Sequence, residues 1–139
     1  LLDAGVGGAP VLLVNPGMPL STRQVFEAWD GVDRGPLGDW REGRNDLEAP
    51  AIALLPAIAE VLEWLRAQEG VSLARMSGSG PTCFGLYANS AQAGAAAAVG
   101  SSLIRRWTCA TIRSPRAGSG SAVTTVSSRS WKRICSMAR

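Results

Sequence analysis

The stretch ARMSGSGPTCFGLY, residues 74–87, places a short run of small residues between two β-prone segments. The flanking segments VSLARM (71–76) and TCFGLY (82–87) have the composition of strands, and a short glycine-containing link between them favours an antiparallel pair. In the link SGSG (77–80), glycines permit positive φ, serines add hydroxyls, and successive N–H groups can bind an anion. By itself such a link is typical of a tight hairpin connection, and a phosphate site is the less frequent alternative.

Apolar periodicity and turn residues predict the other elements around this strand pair. The segment 44–70 has apolar residues at steps of three and four, which predicts a helix that bends near Pro56 and stops at Gly70. The remaining predicted elements are a buried strand VLLVN (11–15), a helix STRQVFEAW (21–29), an alanine-rich helix starting at Asn89 or Ser90, and a strand WTCATI (107–112).

Two helix starts have the spacing of a capping box, in which two side chains satisfy each other's free backbone N–H groups. Ser21 and Gln24 are three residues apart, as are Asn45 and Glu48. We therefore expect helices to begin at both pairs, with Asn45 and Glu48 acting as a local cap.

The order strand, helix, helix, strand pair, helix, strand predicts an α+β fold with helices packed on one face of a mainly antiparallel sheet. From about Arg113 no apolar period persists, and Ser, Arg, Ala, Gly and Thr dominate. Such a composition does not bury enough apolar surface to offset ordering. We expect one domain over residues 1–112 and a disordered tail over 113–139.

Composition excludes several classes of protein. A chain of 139 residues with 46% apolar content is sufficient for one folded domain. No run approaches the roughly 18 apolar residues of a membrane helix, so a soluble, cytoplasmic protein is expected. The absence of histidine from the sequence excludes Ser-His-Asp and Cys-His catalysis, and the three cysteines have no metal-binding spacing. Cys83 is expected to be a small core residue.

Charge is unevenly distributed along the chain. All eleven acidic residues lie at or before Glu69, whereas nine of the fourteen basic residues follow it. The basic residues after Arg105 are dispersed among small polar residues without a nucleic-acid recognition motif, which is typical of solvated surface. Nucleic-acid binding is therefore not the expected function.

Three stretches of the sequence resemble, in their order and spacing, the C-terminal half of kinases of the GHMP superfamily. They are VNPGMPLSTRQVF (14–26), RNDLEAPAIALLPAIAEVLEWL (44–65) and ARMSGSGPTCFGLY (74–87), and the resemblance covers roughly residues 10–110. The SGSGPT loop is similar to the third motif of the superfamily as a whole. The NPG-x-PLST turn and the RNDLE helix start favour the branch that acts on 4-diphosphocytidyl-2-C-methyl-D-erythritol.

The resemblance implies a ferredoxin-like C-terminal domain and ATP-dependent phosphoryl transfer, with Mg²⁺, to a hydroxyl of that small-molecule substrate in the non-mevalonate isoprenoid pathway. By position, Thr22 and Phe26 would line the substrate pocket. Gly78, Ser79 and Gly80 would support the phosphate-binding loop of the other domain. Taken alone, Thr22 is a first-turn helix residue and Phe26 a core side chain.

The chain also departs from the superfamily pattern. The catalytic lysine and aspartate and the glycine-serine loop around the ATP phosphates belong to the N-terminal half of such kinases, and nothing in this sequence matches them. We therefore expect that the chain starts partway through a longer protein and is inactive alone. The acid-free segment at its end predicts a frameshift between Gly100 and Arg113, which the nucleotide sequence in the neighbouring frame would test.

Two other functions remain open from the sequence. One is a free-standing α+β module that binds a small anion at SGSG, or has a regulatory role, without catalysis. The other is an RNA-associated protein that uses its Arg/Ser-rich tail. Upstream sequence with a glycine-serine phosphate loop would favour the kinase over the module, and loss of polynucleotide binding on truncation at Arg113 would favour the third function.

Overall fold

Five strands and four helices make up the computed structural model, which describes residues 9–103, 107–112 and 123–126. The predicted order of elements is confirmed, with the long helical segment divided in two and one strand added. In chain order the elements are β1 (Val11–Asn15), α1 (Thr22–Ala28), α2 (Glu48–Leu54), α3 (Ala57–Arg66), β2 (Val71–Met76), β3 (Cys83–Tyr87), α4 (Ser90–Leu103), β4 (Thr108–Ile112) and β5 (Val123–Val126).

The strands form one antiparallel sheet in the order β2-β3-β1-β4-β5. Its first four strands, with helices between β1 and β2 and between β3 and β4, have the β-α-β-β-α-β connectivity of a ferredoxin-like fold. In the central strand β1, Leu12 pairs with Gly85 on one side and with Thr111 on the other. The α+β fold class expected from the sequence is confirmed.

The hydrophobic core lies between the sheet and the helices α3 and α4. In β1, Leu12 and Val14 are fully buried, whereas Val11 and Leu13 are only partly buried, as expected for a strand covered mainly on one face. Helix α3 packs on β2 and β3, and α4 packs on β1, β3 and β4. The helices contribute the buried residues Ile58, Val61, Leu62, Leu65, Ala93, Ala96 and Ala97.

Pro56 separates α2 from α3, as the sequence predicts. Helix α2 ends at Leu54, and Pro56 is the residue that caps the start of α3, where its missing N–H is not needed. Helix α3 ends at Arg66, and Gly70 with φ +78° leads into β2. None of the helices in the described ranges has both the length and the apolar content that a membrane crossing requires.

The segment Val123–Val126 corrects the prediction that residues 113–139 lack regular structure. It forms β5, in which Val123 pairs with Ile112 and Val126 with Cys109. The sequence VTTV consists of β-branched residues, and pairing with the edge of β4 does not require the apolar period whose absence suggested disorder. The rest of the predicted tail lies outside the described residues, and the frameshift stays a prediction.

Candidate functional site

The SGSG link is a compact turn closed by two backbone hydrogen bonds. The Ser77 N–H donates to Thr82 O and the Gly80 N–H donates to Ser77 O, each at 2.9 Å. Gly78 has φ +55° and Gly80 has φ +79°, values that other residues rarely adopt. The loop between β2 and β3 therefore requires glycine at both positions, as expected for a tight link.

The two glycines differ in their surroundings. A Cβ atom on Gly80 would lie 2.8 Å from Met76 Sδ and 3.4 Å from both Ile58 Cδ1 and Leu20 Cδ2. A Cβ atom on Gly78 would have nothing within 4 Å. Gly80 thus packs against the core, while Gly78 lies at an open surface.

A hydrogen bond joins this loop to the start of α1. Thr22 Oγ1 and Ser79 Oγ are 2.9 Å apart, although the two residues are separated by 57 positions in the sequence. Ser21 caps α1 by accepting from the Gln24 N–H, so that Thr22 is its first residue. The structure therefore brings together a residue that the resemblance assigned to substrate binding and one that it assigned to support of the phosphate-binding loop.

Phe26 lies one helical turn beyond Thr22 on the exposed side of α1. Its side chain is 52% exposed, whereas the adjacent Val25 is fully buried. The interpretation of Phe26 as a core side chain, which its residue type alone suggested, is wrong because Val25 takes the core position of this helix. An exposed aromatic ring one helical turn from Thr22 is available to contact a ligand.

Asn15 holds the end of the loop from the opposite side. Its Nδ2 donates to Thr82 Oγ1 at 2.9 Å, and its Oδ1 accepts from the Gly17 N–H at 2.8 Å. Asn15 is only 8% exposed, and both bonds are part-buried, so water reaches them only in part. Sequence reasoning missed the bond to Thr82, because Asn15 and Thr82 are 67 positions apart.

Asn45 also reaches the loop, and this corrects the predicted capping box. Its Nδ2 donates to Met76 O at 3.0 Å and to Gly78 O at 2.8 Å, while its Oδ1 accepts from the Leu47 N–H at 3.1 Å. Glu48 accepts from the Met76 N–H at 3.4 Å, and no side chain caps α2. Both side chains are used to hold the β2 end of the loop instead of capping the helix.

Two backbone donors in the loop are left over. Within the described ranges, the N–H groups of Gly78 and Ser79 have no hydrogen-bond partner. They are adjacent, one of them follows a residue at positive φ, and the Ser79 hydroxyl lies beside them. This arrangement of donors is suited to an anion such as a phosphate oxygen.

A separate cavity of about 510 Å³ lies behind Asn45, beside the edge strand β2. Three arginines line it, but two of them hold the preceding loop. Arg75 donates to Trp40 O and Arg41 O, and Arg44 donates to Gly35 O. None of the predicted site residues lines this cavity.

Two titratable groups in β3, Cys83 and Tyr87, stay protonated at neutral pH and do not supply a nucleophile there. Burial, with a smaller effect of Glu48, raises the pKa of the Cys83 thiol from 9.0 to about 12. Burial likewise raises the pKa of Tyr87 from 10.0 to about 12. Cys83 is fully buried, which confirms that it is a core residue. Among the described residues, no cluster of His, Cys, Asp or Glu could hold a metal ion.

Comparison with known proteins identifies the family. Residues 31–103 match the model of the family described as GHMP kinases C terminal, which covers more than half of the chain. The chain belongs to the GHMP kinases. The resemblance based on the three motifs is therefore confirmed, and the SGSG loop is part of a GHMP kinase C-terminal domain.

Curated relatives agree on one branch of these kinases. A protein of Novosphingobium aromaticivorans named 4-diphosphocytidyl-2-C-methyl-D-erythritol kinase is 61% identical over 88 residues, which cover 59% of this chain and 30% of that protein. A protein of Rhizorhabdus wittichii with the same name is 57% identical over 98 residues, covering 66% of this chain and 33% of that protein. The chain spans about a third of the length of these relatives.

A solved structure supports the same relationship. The crystal structure of a 4-(cytidine 5'-diphospho)-2C-methyl-D-erythritol kinase matches with a TM-score of 0.60 and 30% sequence identity. The match covers 76% of this chain and 43% of that chain. The ferredoxin-like domain described above is thus similar to part of a kinase of this branch.

Proposed function

We propose that this chain is the substrate-side part of a kinase that transfers the γ-phosphoryl group of ATP to a hydroxyl of 4-diphosphocytidyl-2-C-methyl-D-erythritol. In this proposal it acts in the non-mevalonate isoprenoid pathway in the cytoplasm, and it supplies substrate contacts and support for the phosphates. The catalytic lysine and aspartate belong to the part of such kinases that this sequence does not match.

The observation that carries the proposal is the hydrogen bond between Thr22 and Ser79. It joins the helix proposed to contact the substrate to the loop proposed to support the phosphates. Phosphoryl transfer depends mainly on positioning and on neutralising charge, so a fixed relationship between these two elements is what the chemistry requires of this domain. A hairpin link without a ligand does not need a hydroxyl contact to a distant helix.

Each proposed site residue has a definite role. The N–H groups of Gly78 and Ser79 donate to phosphate oxygens, and Gly80 lets the loop pack against the core beneath them. Thr22 orients the Ser79 hydroxyl and contributes its own hydroxyl to the substrate side. Phe26 offers an aromatic face on which the cytosine ring of the substrate can stack, an interaction worth about 1–3 kcal/mol for a base on an aromatic side chain.

Magnesium would accompany ATP in this family, but the described residues do not fit a metal site, since no cluster of potential ligands is present among them. No step assigned to this chain goes through the ion. The residues of this chain bind and orient the substrate and exclude water from it. Proton transfer from the substrate hydroxyl is assigned to no residue of this chain.

Isothermal titration calorimetry of this chain with 4-diphosphocytidyl-2-C-methyl-D-erythritol tests the proposal. We expect binding that is weakened about tenfold by Phe26→Ala, the loss that corresponds to 1.4 kcal/mol of stacking. Leu54→Ala is the matched control, because it removes a comparably exposed apolar side chain (44%) from α2. No heat at millimolar substrate, or equal weakening by both variants, would count against the proposed substrate side.

A further inference from the structure

Asn45, together with Glu48, holds the β2 end of the SGSG loop from outside the hairpin, and Asn45 alone of the two bonds to Gly78. Its amide nitrogen donates to the carbonyls of Met76 and Gly78, and its amide oxygen accepts from the Leu47 N–H. An asparagine side chain has two N–H donors and one carbonyl acceptor, so all of its polar groups are engaged. Three bonds therefore fix this side chain between the start of α2 and the loop.

The bond to Gly78 O bears on the free Ser79 N–H, because both groups belong to the same peptide unit. In a trans peptide the C=O and the N–H point in opposite directions. Holding the Gly78 carbonyl towards Asn45 consequently directs the Ser79 N–H away from Asn45, out of the loop. The Asn45–Gly78 bond, which spans 33 positions of the sequence, thus orients the N–H group that the proposed function assigns to a phosphate oxygen.

Packing does not orient this peptide unit. Gly78 has no side chain, a Cβ atom there would meet nothing within 4 Å, and glycine adopts φ of either sign with similar ease. The Thr22 bond fixes the hydroxyl of Ser79 but not the plane of the preceding peptide. A reversed Gly78–Ser79 peptide would leave glycine unstrained but would bring Ser79, which now has negative φ, to positive φ at a cost of about 1–2 kcal/mol, and the Asn45 bond adds to this preference for the present orientation.

We propose that Asn45 is a positioning residue of the anion-binding loop, which selects the peptide orientation in which the Ser79 N–H faces the ligand. This inference rests on the proposed function, since it takes the loop to bind phosphate. It adds a residue from the RNDLE segment to the site, through an effect on the backbone and without direct contact with the anion.

Amide NMR of the full 139-residue chain, titrated with inorganic pyrophosphate, tests the inference. In the wild type we expect the Gly78 and Ser79 amide signals to shift on addition of pyrophosphate. Asn45→Ser keeps an oxygen near the Leu47 N–H but is too short to reach the loop, and it adds no charge. We expect it to raise the apparent Kd at the Ser79 amide about tenfold, as for one lost orienting hydrogen bond.

Asn89→Ser is the matched control, because it makes the same change at the Gln92 N–H cap of α4, away from the loop. It should leave the pyrophosphate titration unchanged. A second readout is the Ser79 amide shift without pyrophosphate, which reports peptide orientation and should move in Asn45→Ser only. If Asn45→Ser does not fold, Asn45→Thr replaces it in the same titration.

The possible outcomes separate the inference from the function on which it rests. Equal pyrophosphate binding by wild type and Asn45→Ser would overturn the positioning role and leave the proposed function intact. Weakening by Asn89→Ser to the same extent would also overturn it. Absence of any shift at Gly78 and Ser79 in the wild type would overturn the anion-binding role of the loop itself.

Discussion

Replacing Gly80 by alanine should destabilise the fold more than the same change at Gly78. Both residues have positive φ, which costs a residue with a Cβ atom about 1–2 kcal/mol. Only at Gly80 does the new Cβ meet the core, at 2.8 Å from Met76 Sδ. Met76 is 2% exposed, so its side chain must move within a packed environment, which typically costs a further 1–3 kcal/mol or so. We therefore expect a loss of about 2–5 kcal/mol for Gly80→Ala and about 1–2 kcal/mol for Gly78→Ala.

Urea unfolding, followed by tryptophan fluorescence, measures both values. Trp64 and Trp107 pack edge to face with ring centroids 5.5 Å apart, so their emission reports loss of the core. The effect of alanine on the unfolded chain is the same for both variants and cancels in the comparison. Equal losses, or a larger loss for Gly78→Ala, would refute the assignment of Gly80 to the core and of Gly78 to an open surface.

The other predictions concern pH and the hydrogen bonds around the loop. The raised pKa values of Cys83 and Tyr87 mean that the fold favours the protonated groups, so the free energy of unfolding should be fully retained below about pH 9 and should fall at higher pH. Cys83 alone should account for a loss of about 1.4 kcal/mol at pH 10. Urea unfolding at pH 8 and pH 10 measures this loss, and a pH-independent result would contradict it. Thr22→Val should change the free energy of unfolding by less than about 0.5 kcal/mol, because the bond between Thr22 and Ser79 is exposed. It should nevertheless weaken substrate binding in calorimetry, whereas Thr22→Ser should not. Equal binding by the two variants would argue against a role of the Thr22 hydroxyl in substrate binding. Asn15→Ala should lower the free energy of unfolding by about 1–3 kcal/mol, because it removes two part-buried hydrogen bonds that contribute about 0.5–1.5 kcal/mol each. A loss within the error of urea unfolding would show that this side chain does not hold the loop.

Elements governed by neighbours in the sequence were predictable. The strand pair around SGSG, the break at Pro56 and the cap at Ser21 follow from glycine, proline and serine acting over a few positions, and the structure confirms each. Val123–Val126 was missed because a four-residue edge strand depends on the partner that it pairs with, and its own composition does not reveal that partner.

The site was only partly predictable for the same physical reason. Motif resemblance assigned Thr22 to the substrate pocket and Ser79 to support of the phosphate-binding loop, and it did not predict the hydrogen bond that joins them. The roles of Asn15 and Asn45 depend on bonds to residues far along the chain, so sequence spacing favoured a local cap for Asn45. Asparagine serves either purpose, and only the tertiary structure shows which carbonyls lie within reach.

Phosphoryl transfer by a chimeric enzyme tests the central claim most directly. In the kinase of Novosphingobium aromaticivorans, the matching 88-residue segment is replaced by the corresponding segment of this chain. Transfer of labelled γ-phosphate from ATP to 4-diphosphocytidyl-2-C-methyl-D-erythritol is then measured. If this domain supplies a working substrate side, the chimera should phosphorylate the substrate at a rate within about tenfold of the parent enzyme, a difference of 1.36 kcal/mol in the barrier. A folded chimera that binds ATP but transfers no phosphate to this substrate would contradict the account.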